Sequence, residues 1–130
     1  MLSIRSRRAR AIRSFAQGRE ACDREDLDLA MSCFNEAIRL DPGLDLGYFG
    51  RGFVHLKRLE FGPGVADFSE AIRLRPDGAM SYFYRSLCYE GLKKRDRERA
   101  DARTAAELDP DLPMYVRTLS YESSFGREPV

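Results

Sequence analysis

Histidine is almost absent from this chain, with His55 the single example. A catalytic triad would have to use that ring, and no nucleophile is marked by a local motif. An enzyme is therefore not expected. Cysteine is scarce as well: Cys22, Cys33 and Cys88 are odd in number and share no metal-ligand spacing. Such cysteines pack as small hydrophobes and suit a reducing compartment, so a cytoplasmic protein is expected. No apolar run approaches the roughly 18 residues of a membrane span. Charge of one sign is lacking too. The net charge is +1, so whole-chain electrostatics point to neither a nucleic acid nor a membrane surface. Gly62-Pro63-Gly64 has neither the preceding strand nor the lysine of a phosphate loop. No cofactor, no metal and no catalytic residue are expected.

What remains is a chain of 130 residues, 43% hydrophobic and 33% charged, enough for one domain with a core. Its dominant feature is periodicity. NEAIRLDP (35–42), SEAIRLRP (69–76) and TAAELDP (104–110) end 34 residues apart. Pro42, Pro76 and Pro110 share one register, as do Ala37, Ala71 and Ala105. A period of this size means stacked repeats. Each unit buries its apolar face against its neighbours, and the stack presents a long concave surface. The expected units are 11–44, 45–78 and 79–112, each a helix, a turn and a second helix. First helices are expected near 11–23, 45–58 and 79–91, and second helices near 27–40, 63–75 and 95–108. The prolines sit past the second helices, where they cannot continue them. Pro63 opens the middle second helix, where a missing N–H costs little. Gly64 occupies a position that wants a small residue.

These residues resemble the tetratricopeptide repeat family. Gly18, Gly52 and Ser86 stand where the family has its small residue in the first helix. Ala30, Phe34, Ala37 and Pro42, then Gly64, Phe68, Ala71 and Pro76, follow its second-helix pattern. Tyr48 and Tyr82 match its early aromatic, and Ser14 departs from it. The resemblance implies an all-α, right-handed α-solenoid of helix-turn-helix repeats acting as a protein–protein interaction module: an adaptor, scaffold or co-chaperone-like part. Repeat three departs further, with Glu98 and Ala102 in the small and aromatic places, so its second helix is expected to dock less firmly. Segment 113–125 looks like a C-terminal helix that caps repeat three, with folding back into the groove the alternative, and the tail 126–130 follows.

In the family, one stripe of each first helix lines the concave groove. Here that stripe reads Ile12, Phe15, Arg19 and Cys22, then Leu46, Phe49, Phe53 and Leu56, then Met80, Phe83, Leu87 and Glu90. Phe15, Phe49 and Phe83 are expected to form a ladder of rings along the floor. Rings of ~150–250 Å² each, half covered, would leave on the order of 300 Å² of apolar surface, enough to imply an occupant. The partner expected is a protein or peptide with apolar anchors, helical or extended. A second copy of the chain, in a self-assembling subunit, is the alternative. Some family members hold the terminal carboxylates of chaperones with lysine, arginine and asparagine on this face. The matching floor here carries Phe15, Gly50, Met80 and Tyr84, with Arg19 the main cation, so a carboxylate clamp is not expected.

The charge is unevenly placed. Arg5, Arg7, Arg8, Arg10, Arg13 and Arg19 fall within residues 1–19, which hold no acid. This basic opening is read as the extended start of the first helix, with Ile4, Ile12 and Phe15 facing inward. Organelle targeting through it is the alternative to a cytoplasmic location. Nucleic-acid binding through 5–13 and 93–103 is a lesser reading, because charge runs are usually solvated helix faces. Acids are expected to decorate surfaces without an inward pair.

Overall fold

The computed structural model describes residues 3–112. Among these, six helices run in order: α1 Ile4–Asp23, α2 Leu27–Leu40, α3 Asp45–Lys57, α4 Phe61–Leu74, α5 Ala79–Gly91 and α6 Arg95–Leu108. Segment 113–125 and the tail lie outside the described residues. The basic opening is helical from Ile4 onward, and the Ser3 hydroxyl accepts the Ser6 N–H at 3.1 Å to cap it. Ile4 does not face inward. It is 85% exposed, and Ala11 takes the buried place instead. The middle second helix starts at Phe61 rather than Pro63. Pro63 still lies in the first turn, where its missing donor has no intrahelical partner to lose.

Every first helix ends in the same way. Glu25, Leu59 and Lys93, one per repeat, adopt φ values of 58°, 61° and 60°. The next N–H then reaches back to the carbonyl of Ala21, His55 or Tyr89 at 2.8–2.9 Å. This left-handed closure reverses the chain within three residues. It normally takes glycine, and side chains there cost roughly 1–2 kcal/mol each.

Packing within and between repeats rests on small residues facing rings. Phe34 of α2 is 1% exposed. A Cβ placed on Gly18 of α1 or on Gly50 of α3 would stand 2.4 Å from that ring. One phenylalanine is thus clasped by the first helices of two successive repeats. Phe68 of α4 lies against Gly52, and Tyr84 takes the place of Gly50 one repeat on and stacks on Phe68 at 5.9 Å. Gly64 is small because Cys88 is there: an added Cβ would meet its Sγ at 2.8 Å. Burial pushes the Cys88 thiol up to about 12, so it behaves as a packed hydrophobe.

α6 packs on α5 as extensively as α4 packs on α3, so it does not dock less firmly. The expectation assumed that burial requires large apolar side chains. Ala102 and Ala105 are buried instead beside Glu98 and Asp101, and Asp101 is held by an arginine. α1 touches α3 and α3 touches α5, while the second helices make no comparable contacts with one another. The layer whose members stand closer is the inner one, so the first helices form the concave wall.

Candidate binding groove

Helical geometry puts Phe15, Phe49 and Phe83 in one register of the inner layer, but they are not equally open. Phe15 is 8% exposed and Phe83 is 3% exposed. Phe15 leans on Phe34 at 5.8 Å, and Phe83 is covered by Ala105 and Leu112 within its core cluster. The expected open ladder is therefore reduced. Phe49, Phe53 and Tyr84, all half-buried, are the accessible rings of the groove. Tyr84 is the hub: its ring lies 5.4–5.9 Å from those of Phe49, Phe53, Phe68 and Phe83.

Two recesses open on this wall and share Phe49. One, of about 180 Å³, is lined by Phe15, Phe34, Phe49, Phe53 and Tyr84, with Cys22 and Gly50 between them and Arg19 and Asp23 at the rim. Its size suits one large side chain. The other, of about 380 Å³, runs between α3, α5 and the end of α6. Leu46, Phe49, Met80 and Leu108 are its apolar part, and Asp45, Asp77, Asp109 and Arg75 its charged part. Arg75 is taken up by Asp77 at 3.4 Å, whereas Asp45 and Asp109 form no ion pair among the described residues. Of the remaining expected groove residues, Ile12 is 45% exposed, Leu56 and Leu87 are half-buried and Glu90 is exposed, and these four line neither recess. The acidic rim of the second recess escaped sequence reasoning because Asp77 and Asp109 sit in turns, outside the helix stripes.

A second set of polar residues escaped it as well. Asp67 and Asp101 are each 6% exposed, so two acids leave the surface, one per repeat and each with its own arginine rather than as an acid pair. Arg51 grips Asp67 with two bonds of 2.9 Å and donates a third to Asn35 of the preceding repeat at 3.1 Å. Arg85 does the same to Asp101 at 2.7 and 2.8 Å and to Ser69 at 3.1 Å. Hydrogen bonding to the buried carboxylate raises the pKa of each guanidinium further. These groups tie each repeat to the one before it. Their sequence signal was an Arg–Asp spacing of 16 recurring one period later, absent from repeat one, where Gln17 and Cys33 stand. His55 lies against the same pair, with Nε2 3.5 Å from Asp67 and Nδ1 3.1 Å from Glu60, a packing position rather than a cleft.

The basic segments 5–13 and 93–103 lie on α1 and at the start of α6, which do not pack on one another, so they do not join into one footprint. Arg7, Arg10 and Arg39 do gather around a shallow recess at the α1–α2 seam, with Glu36 bound to Arg39 at 2.5 Å. Among the described residues no group of three or more His, Cys, Asp or Glu could hold a metal ion, and no helix is long and apolar enough to cross a membrane.

The tetratricopeptide repeat family model matches residues 23–44. No curated protein matches the sequence. Among solved structures, the Arabidopsis OM64 TPR domain is similar at 19% identity and a TM-score of 0.85, with 92% of this chain and 97% of that one covered. The first TPR of Spaghetti (RPAP3), bound to the HSP90 peptide SRMEEVD, gives 18% and 0.85, covering 91% and 93%. The TPR2B domain of yeast Sti1, in a pHsp70 complex, gives 20% and 0.82, covering 90% and 98%.

Proposed function

We propose that this chain, a tetratricopeptide-repeat solenoid, is a non-enzymatic interaction module that grips an apolar helical or extended segment of another protein in its concave groove. The observation that carries this reading is the ring-walled recess between α1, α3 and α5. It offers an apolar hole for one large side chain, with Arg19 and Asp23 placed to bond a guest's backbone or flanking polar groups. Similar TPR domains hold chaperone peptides, which supports peptide capture as the general activity. Its three free cysteines suit a reducing compartment.

Self-assembly by end-to-end stacking is disfavoured by the outer face of α1. Gly47, Gly50 and Val54, which pack α3 on the preceding repeat, are replaced one period earlier by Arg13, Ala16 and Glu20, all exposed. That face is a polar terminus.

Selection of displayed twelve-residue peptides tests the proposal. The wild-type chain should enrich sequences with apolar anchors, and Phe53→Asp should lose them while keeping its helical circular dichroism. Enrichment that survives Phe53→Asp, or no enrichment by the wild type, would overturn it.

A further inference from the structure

The two recesses differ in charge, and that difference specifies the guest. The smaller is walled by five rings and carries one cation and one anion at its rim, Arg19 and Asp23. The larger adjoins it across Phe49 and carries three carboxylates, Asp45, Asp77 and Asp109, against Arg75 alone. Asp77 already engages that arginine. Among the described residues the Asp109 side chain accepts the N–H of Asp111 at 3.0 Å and forms no ion pair. Asp45 opens α3, where the helix N-terminus offsets part of its charge, and forms no ion pair among the described residues. A guest that fills both recesses therefore lays an apolar anchor among the rings and its next stretch over a rim with three carboxylates and one arginine.

Resting on the groove reading above, we infer that the occupant is a basic amphipathic segment of a partner protein, with a large apolar residue for the ring recess and lysine or arginine over Asp45 and Asp109. Acidic tails such as SRMEEVD are excluded by the same charges. Interfaces arrange charge to suppress wrong partners as much as to attract right ones. In the low-dielectric lee of Leu46, Phe49, Met80 and Leu108, like charge is screened less than on an open surface.

Three labelled twelve-residue peptides would test this by fluorescence anisotropy at low and high salt. All carry leucines at i, i+3 and i+7, and their flanking positions hold lysine, glutamine or glutamate. The lysine peptide should bind at least tenfold tighter than the glutamate peptide at low salt, with the gap closing as salt rises. Asp45→Asn with Asp109→Asn should shrink the gap below threefold while leaving the glutamine peptide unchanged. Phe53→Ala should weaken the lysine and glutamine peptides alike. Equal binding of all three would overturn the charge assignment while leaving the groove reading intact. Tighter binding of the glutamate peptide, or of SRMEEVD, would overturn it outright. If no peptide binds, both readings fail. A dimer in sedimentation that Phe53→Ala dissolves would make a second copy the occupant and also overturn it.

Discussion

Removing Arg51 should cost more stability than removing Asp67, although each change deletes the same ion pair. The pair makes two charge-assisted bonds of 2.9 Å, and the side chains are 29% and 8% exposed. Breaking a fully buried pair typically costs about 3–5 kcal/mol, because one charge is left without compensation. Asp67→Ala leaves the more exposed partner, which still has Asn35 at 3.1 Å and the Tyr48 ring at 5.8 Å and can turn toward water. About 2 kcal/mol is expected for it. Arg51→Met leaves a carboxylate that is only 8% exposed, with His55 at 3.5 Å, for about 3 kcal/mol. The double variant should lose less than the two singles together, with a coupling of about 1.5 kcal/mol. Urea unfolding followed by far-ultraviolet circular dichroism measures all four corners of the cycle. A coupling below about 0.5 kcal/mol, or an Asp67→Ala variant weaker than Arg51→Met, would refute the reasoning.

Gly50→Ala should destabilise by about 2 kcal/mol, since its Cβ would stand 2.4 Å from the Phe34 ring and overpacking outweighs the better helix propensity. Gly62→Ala, which meets nothing within 4 Å, should be neutral or slightly stabilising in the same denaturation assay. Leu59→Gly should raise the melting temperature, because φ is 61° and the side chain is 70% exposed; relief of left-handed strain less the entropy of glycine leaves about 0.5–1 kcal/mol. The Arg8 hydrogen bond at 2.7 Å holds the Asp41 carboxyl below its ordinary value. A depressed folded pKa contributes stability above the unfolded value near ~3.9 and loses it as pH falls through the folded one. Arg8→Ala should therefore cost under about 1 kcal/mol at neutral pH and nothing in strong acid, so parallel pH curves for the two proteins would contradict the assignment.

The architecture was legible because it is written three times over. The in-phase prolines, alanines and small residues place the helices within a few residues of where they stand, and the small residue at Gly64 falls where Cys88 comes close. The groove was legible only as a stripe. Helical spacing tells which face a residue shares, but not how far a neighbour's ring leans over it. Phe83 lies beneath Ala105 and Leu112, residues that sequence spacing does not bring near it. The staples were missed for another reason. A buried carboxylate looks like any surface acid until its guanidinium is found 16 positions away, and only the recurrence of that spacing one period later distinguishes the two.

The missing staple of repeat one has a mechanical consequence. α3 and α5 are each bolted to the helices on both sides through Arg51 and Arg85. α1 has Gln17 in that place and is held by its apolar seam with α2 and by the Arg8 pair. The wall that carries Phe15 and Arg19 is thus fixed mainly by packing, most extensively against α2, where the other two are fixed by a buried carboxylate as well.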